Sequence, residues 1–113
     1  MNIFEKIAAR EIPAEIIHET DEFLAIRDVR PQAPVHVLIV PKRCIPRISE
    51  ANETTDGALL GRMLCAAPEI ARKCGVGESG YRLVLNNGRD AGESVPHLHI
   101  HLLGGRALQW PPG

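Results

Sequence analysis

The sequence predicts an α+β domain: a five-stranded antiparallel sheet with one short and one long helix packed on one of its faces. Three observations lead there. Three strand-like segments lie close together in the first forty residues. A twenty-residue stretch of helical periodicity follows. Two more strand-like segments close the chain. Strands joined by short links pair antiparallel, and a helix with one apolar stripe must bury it against the sheet.

The elements are read in order. Asn2 is placed to cap a short helix, with Glu5 three residues on completing a capping box. Ile3, Phe4, Ile7 and Ala8 form its apolar face, and Pro13 is expected to end it. Residues 15–19 and 23–29 read as strands joined by the turn Thr20-Asp21-Glu22. Residues 36–40 read as a third strand, stopped by Pro41. Between the second and third, Arg30-Pro31-Gln32-Ala33-Pro34 is a loop, since proline cannot donate to a ladder. Residues 55–74 form the long helix. Thr54 is its expected cap, Asp56 sits in the first turn, and Leu59, Leu60, Met63, Leu64 and Ile70 make the stripe. Arg72 and Lys73 lie in the last turn, before Gly75. Pro68 conflicts with this helix, and a kink or two shorter helices is expected there. Residues 81–85 and 97–103 are the last two strands, with residues 86–96 a long surface loop between them. Trp110-Pro111-Pro112-Gly113 is expected to be extended.

Composition bounds the function. The chain has 113 residues, 44% hydrophobic and 24% charged, which fits one domain spanning 1–113. Thirteen basic and fourteen acidic residues leave a net charge of -1, so a nucleic-acid partner is not expected. No apolar run approaches the roughly twenty residues a membrane span needs, and no secretion signal is visible. Cys44, Cys65 and Cys74 form no CxxC pair; they read as reduced thiols of a cytoplasmic protein. Only four aromatic residues imply a modest core, which self-association would extend.

The chemistry is concentrated in His97-Leu98-His99-Ile100-His101-Leu102-Leu103. Side chains alternate along a strand, so three imidazoles share one face while Leu98, Ile100 and Leu102 meet the core. Strand stability does not call for histidine here. Two functions compete. Alternate histidines can bind zinc, with His36 supplying a further ligand. Alternatively, an unprotonated imidazole attacks phosphorus while its neighbours bind phosphate or protonate a leaving group. The second is favoured. The loop from Asn86 to Val95 contains Gly88 and Gly92, whose backbone can approach an anion, and Asn86 and Ser94 add polar donors. No carboxylate lies within the triad to complete a metal shell. His99 is flanked by two imidazoles on its own face, so it alone has both in reach, and as a nucleophile it must present one bare nitrogen. Its other nitrogen should then donate to a carbonyl that fixes the tautomer.

These residues resemble the histidine triad (HIT) family, in its branch of histidine triad nucleotide-binding proteins. The resemblance runs over nearly the whole chain: Ile3-Phe4, residues 28–36, Val40-Pro41-Lys42, the loop 86–94, the triad, Gly104-Gly105-Arg106 and Trp110-Pro111-Pro112-Gly113. A third histidine is similar to the hydrolase branches, where a nucleotidyltransferase would carry glutamine. The resemblance implies a HIT-like fold and a homodimer whose sheet runs across both subunits, with a purine nucleotide site on each. It implies that His99 attacks the α-phosphorus of a purine nucleoside 5′-phosphoramidate, forms a nucleotidyl-histidine and yields AMP or GMP without any cofactor or metal. Ser94, His101 and Asn86 would contact phosphate or leaving group, with Gly92 and Val95 in the same loop. Asp28 would bind ribose. Ile3, Phe4, Ile7, Ile12, Ile26, Val29 and Leu38 would enclose base and sugar. His36 and His97 would support catalysis, and Trp110 would reach the partner subunit's site. The alternatives are a dinucleoside polyphosphate hydrolase and a nucleotide-binding regulator with incidental hydrolysis. Three departures stand out: Pro96 before the triad, Pro68 in the helix, and Cys44 where relatives often carry histidine.

Overall fold

The computed structural model describes all 113 residues. In chain order the elements are α1 (Ile3–Ala8), β1 (Ile16–Glu19), β2 (Phe23–Arg27), β3 (Val35–Pro41), α2 (Glu53–Lys73), β4 (Tyr81–Val84) and β5 (Ile100–Gly104). Single 3-10 turns occur at Ile48–Glu50 and Arg89–Ala91. The five strands form one sheet in the order β1-β2-β3-β5-β4, and every pairing is antiparallel. The predicted five-stranded sheet with one long and one short helix is therefore the observed architecture. β5 sits between β3 and β4, with Leu38 opposite His101 and Val84 opposite the same residue on the other side.

Contrary to the expectation from sequence, the two helices do not share one face of the sheet. α2 lays Leu59, Met63, Ala67, Ile70 and Ala71 on Phe23, Ala25, Val37, Ile39, Leu98, Ile100 and Leu102. α1 covers the opposite face, where Phe4 and Ile7 pack on Leu24, Ile26, Leu38 and Val40. The reason lies in β2 and β3. Their apolar residues run continuously rather than alternating, and every residue of β3 is buried, so both faces need a cover.

Several boundaries shift. The capping box forms as expected: Asn2 Oδ1 accepts from Glu5 N–H at 2.9 Å and Glu5 Oε1 accepts from Asn2 N–H at 3.0 Å. The helix ends at Ala8, well before Pro13, because Arg10 turns the chain with φ 62°. α2 starts at Glu53, capped by Asn52 rather than Thr54; Asn52 Oδ1 accepts from Thr54 and Thr55 N–H at 2.8 and 3.1 Å. It runs through Pro68 as a single helix. Pro68 and Leu64 are exposed, so the Leu64 carbonyl that loses its helical partner can turn to water. β3 includes Pro41 instead of stopping before it, β2 ends two residues early, and β5 starts at Ile100 rather than His97. The C-terminal tail bends at Trp110 and Pro111 instead of running extended.

Candidate active site

β5 and the segment leading into it carry chemistry on one side and core on the other. Leu98, Ile100 and Leu102 point into the α2 core. The intervening imidazoles stand on the α1 side, where the Phe4 ring lies 5.5 Å from His97 and 5.2 Å from His99 between centroids. The predicted alternation thus holds even though only His101 lies within the strand proper.

Each ring's protonation follows from its partners. His99 Nδ1 is 2.8 Å from the His97 carbonyl oxygen. A carbonyl only accepts, so Nδ1 holds the proton and Nε2 is bare. This is the tautomer a nucleophile requires, held by the carbonyl contact the sequence reading expected. His36 Nδ1 accepts from Gln32 N–H at 3.0 Å, so in the neutral ring Nε2 carries the proton and donates to His101 Nδ1 at 2.8 Å. His101 must then keep its own proton on Nε2. Two rings 5.0 Å apart, His99 and His101, therefore present opposite functions: a lone pair and a proton. His97 is wholly buried, with Nε2 donating to the Pro41 carbonyl at 2.7 Å and Nδ1 taking the Asn2 amide at 2.8 Å. Both its nitrogens are occupied, so it acts by holding structure.

The surroundings keep His36, His97 and His101 neutral. Burial lowers the affinity of His36 and His97 for a proton, with Asp28 opposing at His36. For His101, burial leads and the neighbouring His99 and His36 add to it, so its pKa falls to about 4. Asp28 Oδ2 stands 3.5 Å from His36 Nε2, while its Oδ1 accepts from Arg30 N–H at 2.8 Å.

Asp28, His36 and His101 bring their donor atoms within 4.8 Å of one another, the grouping here that could hold a metal ion. The geometry is that of a hydrogen bond. A proton occupies the 2.8 Å gap between the two imidazole nitrogens, whereas tetrahedral zinc with bonds of about 2.0–2.1 Å spaces its ligands about 3.3 Å apart. The rings would have to separate and His36 lose its Nε2 proton before both could ligate.

The rings open onto a cavity of about 270 Å³. Among the residues expected to bind nucleotide, Ile3, Phe4, Ile7, Ile12, Ile26, Asp28, Val29, Leu38, Ser94, Val95, His99 and His101 all line it. His36 and His97 stand behind this wall. Asn86 and Gly92 do not line it; Gly92, at φ 79°, closes the 3-10 turn ahead of Ser94, which accounts for a glycine there. Trp110 is 81% exposed and lines no part of this chain's own cavity.

The sequence reading missed several contributors. Pro13, Ala14 and Arg27 also line the cavity. Gln32 and Pro41 act through backbone groups, which side-chain identity does not announce. Glu93 anchors the loop before Ser94: its carboxylate takes Arg47 Nε at 2.9 Å and Gly88 N–H at 3.0 Å, and Arg47 holds it well below the usual carboxylate range. A second pocket, about 180 Å³, lies across α2 and β4 and is lined only by Ile48, Leu60, Leu64, Leu83, Val84, Leu85 and Ile100. No polar side chain lines it.

Comparison with known proteins agrees with this geometry. A family model described as HIT domain matches residues 9–108. A HIT-like protein of Synechocystis is 54% identical over 111 residues, covering 98% of this chain and 96% of its own length. The crystal structure of a HIT family hydrolase from Legionella pneumophila superposes with a TM-score of 0.95 at 48% identity, over 100% of both chains. That of a histidine triad nucleotide-binding protein from Candida albicans gives 0.82 at 29% identity, over 98% of this chain and 83% of the other.

Proposed function

Because this chain belongs to the HIT domain family, we propose that it is a hydrolase of purine nucleoside 5′-phosphoramidates. The observation that carries the reading is the pair of opposed tautomers at the cavity wall, His99 with a bare Nε2 and His101 with a protonated one. In the reaction His99 Nε2 attacks the α-phosphorus and forms a P–N bond. The bond from phosphorus to the departing amine breaks while His101 Nε2–H holds the amine by a hydrogen bond, and a proton from solvent completes the amine, which leaves neutral. Water then attacks the nucleotidyl-histidine. It gives its oxygen to phosphorus and one proton to solvent, and His99 leaves with its electron pair, so AMP or GMP departs with His99 back in its starting state and His101 neutral throughout. Ser94 and the loop amides near it offer donors to the phosphate oxygens. In this reading Asp28, which lines the cavity, takes the ribose hydroxyls, and the apolar walls take base and sugar. No step needs a metal ion or cofactor.

The same reading makes the chain a homodimer. β4 is an edge strand with unpaired backbone groups, and beside it Ile48, Leu64, Leu83 and Leu85 are each at least 36% exposed. A second copy pairing there would extend the sheet and cover the apolar pocket. Trp110 would then be free to serve the neighbouring subunit. Cys44, Cys65 and Cys74 are all free, as a reducing cytoplasm would leave them, and no helix is long and apolar enough to cross a membrane.

The test is His99→Ala with adenosine 5′-phosphoramidate. Turnover should fall by about a thousandfold or more while the circular dichroism spectrum is unchanged. A folded variant with wild-type turnover removes His99 as nucleophile. Faster wild-type turnover of a diadenosine polyphosphate would reassign the substrate. Tight AMP binding with negligible turnover of either would make the chain a binding module.

A further inference from the structure

We propose that Asn2 is a positioning residue for the reacting histidine, setting the tautomer of His99 through His97. This rests on the phosphoramidase reading for its kinetic consequence but not for its structural one.

The sequence accounts for Asn2 as a helix cap, and that duty uses only its oxygen: Oδ1 accepts from Glu5 N–H at 2.9 Å. Serine, threonine or aspartate would serve equally well. The other end of the amide is what distinguishes asparagine. Its Nδ2 lies 2.8 Å from His97 Nδ1. His97 Nε2 is committed as a donor to the Pro41 carbonyl, so Nδ1 is a lone pair and Asn2 donates to it. The His97 ring is pinned at both nitrogens in a fully buried setting. Its backbone carbonyl is the acceptor that holds the His99 Nδ1 proton at 2.8 Å. One amide thus joins α1, which supplies Ile3, Phe4 and Ile7 to the cavity wall, to the carbonyl that leaves His99 Nε2 bare. The groups facing His97 are the Glu5 carboxylate on α1, the Cys44 thiol, 3.8 Å from Asn2 Nδ2, and the His99 ring.

The experiment compares Asn2→Asp and Asn2→Ser with wild type. Both variants retain a capping oxygen. Aspartate puts a carboxylate against His97 Nδ1 and draws a proton there, making an imidazolium beside His99. Serine is too short to reach His97 and leaves Nδ1 without a donor. Long-range 1H–15N spectra at pH 7 should show wild-type His97 protonated on Nε2 and His99 on Nδ1. Asn2→Asp should show His97 doubly protonated, and both variants should show His99 losing its single-tautomer signature. Amide exchange in α1 should stay as slow as in wild type. With adenosine 5′-phosphoramidate, kcat should fall about tenfold or more and KM by less than about twofold, the pattern of a misoriented group rather than lost binding. Unchanged His99 signals in both variants overturn the proposal. So does fast α1 exchange in both, which would assign Asn2 to capping alone. If wild type itself fails to turn over the substrate, the phosphoramidase reading falls and the spectra still decide the role of Asn2.

Discussion

Acidification should weaken this fold through His101 before the carboxylates respond. The unfolded imidazole binds a proton near pH 6.5, whereas the folded ring, half-buried and beside His99 and His36, binds one only near pH 4. Between those values the unfolded chain carries more protons, so stability is intact above about pH 6.5 and is lost as pH falls toward 4. A fully sheltered ring would lose about 2 kcal/mol by pH 5, at 1.36 kcal/mol per pH unit. Because solvent reaches part of this ring, screening reduces that to about 1 kcal/mol. The assay is urea unfolding of wild type and His101→Asn at pH 7.5 and pH 5. Wild type should lose about 1 kcal/mol more than the variant over that interval. Glu19, Glu22, Asp56, Glu69 and Glu93, all held low by their cationic or backbone partners, respond only at still lower pH and are common to both proteins. Equal losses, or a wild type that gains stability on acidification, would refute the reasoning.

Three further outcomes are expected. Pro68→Ala should raise stability by about 1–2 kcal/mol, because it restores a helical N–H in the middle of α2 without touching the core; calorimetry would register a higher Tm. Glu93→Ala should raise KM for adenosine 5′-phosphoramidate about threefold to tenfold, the equivalent of about 1 kcal/mol, since Arg47 and Gly88 then release the loop that carries Ser94; steady-state kinetics would show KM unmoved if the loop holds itself. Chelator treatment should leave turnover unchanged, and activity restored by added zinc would instead recruit Asp28, His36 and His101 as ligands.

The site was legible where periodicity encodes it. Alternation alone separates His97, His99 and His101 from Leu98, Ile100 and Leu102, and it survives the late start of β5: Leu98 already packs in the α2 core while the His97 and His99 rings lie against Phe4. The division of labour among the rings was not legible. His97 is neutralised as a reactive group by Asn2 and by the Pro41 carbonyl, 95 and 56 positions away in sequence. His36 gets its proton placement from a loop amide, Gln32 N–H, that any non-proline residue would provide. The misplacement of α1 was avoidable. Phe23-Leu24-Ala25-Ile26 and the unbroken apolar run of β3 announce a sheet buried on both sides, and Phe4 and Ile7 of α1 supply buried cover for the second. The continuity of α2 through Pro68 was not readable, because it depends on which side of the helix meets solvent.

The central place of β5, hydrogen-bonded to neighbours on both edges, has a consequence for how this protein tolerates change. Deleting or inserting one residue between Pro96 and Gly104 would exchange imidazole for hydrocarbon along the part of the strand it displaces, burying polar rings beneath α2 and offering leucines to the cavity. Structure and reactivity would fail together in a single genetic event, so indels in this stretch should be absent from any library of surviving variants, while single side-chain replacements persist.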